Sequence, residues 1–125
     1  MSELVPKTAL VVEDDPASKK YMSLLLKKLN CQFIVAESGE QALEMMKDRD
    51  VDIMLLDIAL GPGMSGIDLG GILKQESRHS QTPMIAVSAF SKEDVNRLES
   101  FGFSDYLAKP YTINGLKEIL DKYLH

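Results

Sequence analysis

A single cysteine among 125 residues excludes an intrachain disulfide, so Cys31 reads as a small buried hydrophobe in a reducing compartment. Cations are in deficit. With 14 Lys and Arg against 19 Asp and Glu the net charge is −5, which argues against the clustered basic face that displaces counterions from phosphates and so against direct DNA or RNA binding. Long apolar runs are missing too: the longest, Ile53 to Leu60, is broken by Asp57 and falls short of the ~18 residues a membrane span requires. The first residues, Met1-Ser2-Glu3-Leu4-Val5-Pro6-Lys7, carry an acid and a proline where a secretory signal needs a basic and then an apolar stretch. A cytoplasmic protein is expected. There is no 20 to 50 residue repeat, low-complexity segment or linker, and a chain of this length buries roughly two thirds of its unfolded surface. One domain over 1–125 follows, with no room for a second module or an output domain.

What is present is an alternation of short apolar runs with segments of helical period, five times over. The runs are Ala9-Leu10-Val11-Val12, Phe33-Ile34-Val35-Ala36, Ile53-Met54-Leu55-Leu56, Met84-Ile85-Ala86-Val87 and Tyr106-Leu107-Ala108. Unbroken runs of this kind mark parallel strands buried on both faces. Asp15 before Pro16 pairs a helix cap with a proline at the first helical position, and Tyr21, Leu24, Leu25 and Leu29 form an apolar stripe. Ser38 and Gln41 have capping-box spacing and open a second helix with Ala42, Leu43 and Met46 inward. The third helix is weakened by Gly70-Gly71, a pair that close packing explains better than propensity. Ser91 and Asp94 can cap a fourth helix carrying Val95, Leu98 and Phe101, and Ile113, Leu116, Leu120 and Tyr123 line a fifth. Methionines such as Met22, Met45, Met54 and Met84 fall on apolar faces and read as core filling. Five such units predict an α/β fold, a parallel sheet wound on both faces by right-handed crossovers.

In an open parallel sheet, ligands bind at the carboxyl ends of the strands. Here those ends carry Glu13-Asp14-Asp15, Asp57, Ser88 and Lys109. Carboxylates within ~4 Å repel by about 4 kcal/mol per pair at an effective dielectric near 20, so the group calls for a cation or for protons. The available donors are hard oxygens with no imidazole or thiolate among them, which suits Mg²⁺, with Mn²⁺ as a second choice, and disfavours zinc. Asp15 reads as a helix cap. Glu13 and Asp14 lie beside a buried strand, away from the cap, and read as ligands. Asp57 ends an apolar run before a glycine-rich loop, so its carboxylate is expected to be exposed beside the metal and unpaired to a base. A carboxylate next to such a metal can attack phosphorus and form an acyl phosphate. Lys109 and the Ser88 hydroxyl would then meet the phosphoryl oxygens.

The combination resembles the receiver domain of bacterial response regulators in two-component signalling, over nearly the whole chain. The resemblance rests on the acidic pair after the first strand, Asp57 after the third, Ser88-Ala89 after the fourth and Lys109-Pro110 after the fifth. It implies a flavodoxin-like sheet of order 2-1-3-4-5 with five helices, and a phosphorelay switch, not an enzyme, that takes a phosphoryl group from a histidine kinase or phosphotransfer protein onto Asp57. It further implies Asp14 as a direct Mg²⁺ ligand, Glu13 as its water-mediated neighbour and the Ala59 carbonyl as another ligand. Ser88 would be the switch hydroxyl, Lys109 the phosphate-binding cation, and Tyr106 the aromatic that turns inward on activation. The Lys109-Pro110 bond is expected to be cis, and the face made by helix four, strand five and helix five to meet a downstream protein partner. The loop after Asp57 is about one residue longer than the common pattern of the family. Ala59 and Phe90 stand where polar groups tune dephosphorylation, so a long-lived phosphoryl group is expected.

Two rival readings come from the residues themselves. Gly61 to Gly66 satisfies G-x-G-x-x-G after a strand and before a helix, as a dinucleotide site would, but follows the third strand, not the first. An aspartate nucleophile, metal and lysine also serve Mg²⁺-dependent phosphohydrolases. Against that, the segments between strands are too short for a substrate-enclosing cap.

Overall fold

The computed structural model describes residues 7–89 and 96–124. Five strands, β1 (Thr8–Val12), β2 (Gln32–Ala36), β3 (Ile53–Asp57), β4 (Met84–Ser88) and β5 (Asp105–Ala108), form one parallel sheet of order β2-β1-β3-β4-β5. The helices are α1 (Pro16–Lys28), α2 (Gly39–Met45), α3 (Gly66–Gln75) and a C-terminal helix, Ile113–Tyr123. Between β4 and β5, residues 96–98 are helical and run into a 3-10 turn, Glu99–Phe101. The capping expected of Ser91 and Asp94, and the placement of Phe90 and Val95, fall outside the described residues.

Alternation along the strands divides the core into two layers, because successive side chains point to opposite faces. Ala9, Val11, Ile53, Leu55, Ile85, Val87 and Leu107 pack against α1 and the C-terminal helix. Leu10, Val12, Met54, Leu56, Met84 and Ala86 pack against α2, α3 and the segment carrying Leu98 and Phe103. The central strands β1, β3 and β4 are buried almost throughout, as their apolar runs require; β2, at the sheet edge, is only half-buried at Phe33, Ile34 and Val35.

The helix starts follow their capping residues. Asp15 accepts from the Ser18 N–H at 2.8 Å and Ser38 from the Gln41 N–H at 3.0 Å. The Gln41 side chain accepts from Glu37 N–H, one residue before the expected capping-box donor. The full box is at α3, where Ser65 and Asp68 bond each other's backbone. The stripe expected on α1 is corrected. Leu25 is buried and Leu29 packs against the core as expected, but Tyr21 and Leu24 are exposed, and Met22 and Leu26 complete the inward set in their place. In α3 the two glycines differ: a Cβ on Gly70 would lie 2.8 Å from the Met84 methyl, whereas one on Gly71 would meet nothing. Close packing therefore accounts for the first glycine alone.

Candidate functional site

The same alternation that builds the core builds the site. Glu13, Asp57 and Lys109 each follow by two residues a side chain of the α1-facing layer, namely Val11, Leu55 and Leu107. The period of two carries all three toward one face at the carboxyl edge. The Lys109 ammonium donates to Glu13 Oε1 at 2.8 Å and lies 3.5 Å from Asp57 Oδ2. Asp57 is only 6% exposed, so the expectation of an exposed, unpaired carboxylate is overturned. The glycine-rich loop had implied openness, but it turns back against the strand instead. A Cβ on Gly66 would lie 2.2 Å from the Asp57 carbonyl oxygen, so only glycine lets α3 begin there.

Each acid has a backbone anchor as well. Asp57 Oδ1 accepts from the Ala59 N–H at 2.9 Å, Glu13 Oε2 from the Asp15 N–H at 3.2 Å, and Asp14 Oδ2 from the Gly61 N–H at 3.4 Å. Asp14 is the most open of the three. Ser88 is the buried last residue of β4, and its carbonyl accepts from the Lys109 N–H at 2.8 Å. By strand parity its side chain belongs to the layer opposite Asp57. Tyr106 lies on β5 beside Ala86, 40% exposed. The Lys109-Pro110 bond is cis, as is Gly61-Pro62.

One oxygen from each of Glu13, Asp14 and Asp57 can be chosen so that all three lie within 4.8 Å of one another. Three carboxylates against the single Lys109 ammonium leave two negative charges in a largely buried cluster. Burial pushes the Glu13 carboxyl above its usual range, and Asp57 adds to the rise against the pull of Lys109. Burial also works against the Lys109 ammonium, but the hydrogen bond to Glu13 and the charge of Asp57 outweigh it and hold its pKa above the ordinary lysine value. A hard divalent cation matches both the donor chemistry and the missing charge.

The dinucleotide reading of Gly61 to Gly66 does not survive the geometry. The N–H groups of Gly61, Met64 and Ser65 already point at the carboxylates of Asp14, Glu40 and Asp68, at 3.3 to 3.4 Å. Those carboxylates occupy the donors a pyrophosphate would need and would repel it. The closeness of Gly66 to Asp57, the Ala59 N–H bond and a hollow beside Lys109 are site features the sequence reading lacks. That hollow, of about 440 Å³, is lined by Ala17, Ser18, Tyr21, Lys109, Pro110 and Tyr111. The Tyr21 and Tyr111 rings meet there at a tilt of 50° with centroids 5.2 Å apart, and the Tyr21 hydroxyl donates to the Tyr111 carbonyl at 2.7 Å. The glycine opening α3 was the available signal for the first; the others depend on tertiary placement.

Comparison with known proteins agrees with this geometry. The sequence pattern described as the response regulator receiver domain matches residues 9–121. The chain is 36% identical over 117 residues to the signal transduction histidine-protein kinase BarA of Escherichia coli K12, covering 93% of this chain and 13% of that kinase. It is 31% identical over 121 residues to the polar-differentiation response regulator DivK of Brucella anthropi, covering 96% of this chain and 98% of that protein. The receiver domain of sensor histidine kinase PA1611 from Pseudomonas aeruginosa, solved with magnesium in its active-site cleft, superposes with a TM-score of 0.87 at 26% identity. That superposition covers 95% of this chain and 98% of the other.

Proposed function

The chain belongs to the response regulator receiver domain family, and from that premise we propose that Asp57 is the phospho-acceptor of a two-component phosphorelay switch. The observation that carries this reading is the burial of Asp57 between the Lys109 ammonium and the carboxylates of Glu13 and Asp14. In the transfer an Asp57 carboxylate oxygen attacks phosphorus, a P–O bond forms, and the donor's bond to phosphorus breaks with its electron pair leaving on the donor. Lys109, already 3.5 Å from that carboxylate, turns its ammonium toward the phosphoryl oxygens, and the Ser88 hydroxyl swings over from the opposite layer to meet one of them. Glu13 then loses part of its hold on Lys109.

Glu13, Asp14 and Asp57, with the Ala59 carbonyl, would hold Mg²⁺. When bound it supplies charge neutralisation for the phosphoryl oxygens. The magnesium reported in the PA1611 receiver supports this choice of ion. The hollow between Tyr21 and Lys109 gives a histidine kinase or phosphotransfer protein access to the edge.

The new phosphoryl charge biases a two-state rearrangement in which Tyr106 moves inward from its exposed position. A downstream protein reads that change on the face of β5 and its flanking helices. The test is intact-protein mass after incubation with acetyl phosphate and Mg²⁺, beside Asp57→Asn and a metal-free control. One added phosphoryl group that requires both Asp57 and metal is expected. Labelling that persists in Asp57→Asn would overturn the assignment.

A further inference from the structure

We propose that the outer edge of β2 is a self-association surface, on which a second copy of this chain pairs antiparallel and joins two five-stranded sheets into one. The strand order leaves β2 with β1 as its sole neighbour among the described residues. The Gln32 N–H donates to the Lys7 carbonyl at 2.9 Å and the Ala36 carbonyl accepts from the Glu13 N–H at 3.0 Å, so the even residues of β2 face β1. Alternation then turns the N–H and C=O of Phe33 and Val35 outward, away from the sheet. The neighbouring outward groups are closed off, since Cys31 N–H donates to Leu26 and Glu37 N–H to the Gln41 side chain. A short open ladder of two residues is left.

This edge lacks the usual protection. Residues 33–36 contain no lysine, proline or bulge, only Phe, Ile, Val and Ala, and exposed edges of that kind pair with other strands. An antiparallel copy fits it in one register. Phe33 exchanges two hydrogen bonds with Val35 of the second copy, Val35 does the same with Phe33, and Ile34 meets Ile34 on the twofold axis. That register sets an aromatic side chain across from a β-branched one on the α1-facing layer, a favourable cross-strand pair.

Charge agrees with the register. Beside the start of β2 an open hollow of about 710 Å³ is lined by Lys27, Asn30, Cys31, Phe33, Ile34 and Arg49. Neither Lys27 nor Arg49 forms an ion pair among the described residues, so both are available to an anion from outside the chain. In the register centred on Ile34, Cys31 stands opposite Glu37 of the second copy, which brings that carboxylate toward Lys27 and Arg49. Glu37 is paired to Lys19 on the surface with most of its side chain exposed, so little is lost in sharing it. The contact is small, so the association is weak and concentration-dependent.

The test combines sedimentation velocity with amide hydrogen exchange on the full chain at micromolar and near-millimolar concentrations. Exchange at Phe33 and Val35 is expected to slow as concentration rises, while Ile34, already bonded to β1, stays unchanged. Glu37→Arg is expected to weaken association about tenfold, and adding Lys27→Glu with Arg49→Glu to recover it. A monomer at every concentration, or association that leaves the Phe33 and Val35 amides unprotected, overturns the proposal, whatever other partner the edge then takes.

Discussion

The Lys109 ammonium donates to the Glu13 carboxylate at 2.8 Å, tying the end of β5 to the end of β1 across 96 residues of sequence. Glu13 is 5% exposed and Lys109 more open, so the pair costs more to break from the lysine side, which strands a buried anion next to Asp57. Lys109→Met is expected to lose about 2 kcal/mol of stability in chelator, a discounted form of the buried-pair penalty because Lys109 is partly solvated. In a Glu13→Gln background the same change should cost much less. Urea midpoints of the four proteins give the coupling directly, and equal costs in both backgrounds would show that the pair does not hold the edge together.

Gly66 and Gly71 both lie in α3 and predict opposite outcomes. A Cβ at Gly66 would meet the Asp57 carbonyl at 2.2 Å and the Ile58 Cα at 2.6 Å, both backbone atoms that cannot swing aside. Gly66→Ala is expected to cost at least about 2 kcal/mol and to slow phosphorylation by shifting Asp57. Gly71→Ala meets nothing within 4 Å in a helix interior and should stabilise by about 0.5 to 1 kcal/mol. Thermal melts of the two variants, with phosphorylation by acetyl phosphate, test both.

The strands were legible because buried parallel strands are nearly all apolar, and the site was legible because its acids and lysine interrupt or end those runs. Asp57, Glu13 and Lys109 could be placed at one edge from the sequence, and counting by twos from Leu55, Val11 and Leu107 would also have put them on one face. Asp57 was read as exposed since glycines in the next loop imply room; its burial depends on Gly66, whose closeness to the strand is a tertiary fact. The expected stripe on α1, Tyr21, Leu24, Leu25 and Leu29, is right at Leu25 and Leu29 and one step off at the other two, because Tyr21, Leu24 and Leu25 satisfy the helical period as well as Met22, Leu25 and Leu26 do. Periodicity gives a face but not its boundary when apolar residues extend past it. Sheet order has no local signature at all, and here it came through family resemblance.

Tyr111 predicts an alkaline limit to stability. Burial pushes its phenol well above the ordinary value near 10, helped by Tyr21 and the charge of Glu13. A folded pKa above the unfolded one gives stability that is complete below about pH 10 and lost as pH rises toward the folded value. The loss approaches about 1.4 kcal/mol per pH unit. Tyr111→Phe gives up only a long contact, at 3.6 Å, to the Met22 sulfur, so it should be nearly neutral at pH 7. Between about pH 9 and pH 11 its urea midpoint should fall less steeply than that of the wild type, and identical slopes would locate the titration elsewhere.

Phosphoryl lifetime is the last consequence. An acyl phosphate on Asp57, as proposed above, would be lost when water attacks phosphorus in line, and a polar group that holds the water would speed that step. Ala59, exposed and two residues beyond Asp57, gives its N–H to the Asp57 carboxylate and has no polar side-chain atom to offer. Ala59→Asn keeps the N–H and adds both a donor and an acceptor. One net hydrogen bond to the attacking water is worth about 1 kcal/mol, so autodephosphorylation should quicken about fivefold. Loss of phosphate followed by mass after rapid removal of the donor measures it. Since the substitution leaves Glu13, Asp14 and Lys109 in place, a rate that is unchanged or lower would mean that access to the buried carboxylate, and not orientation of water, sets the lifetime.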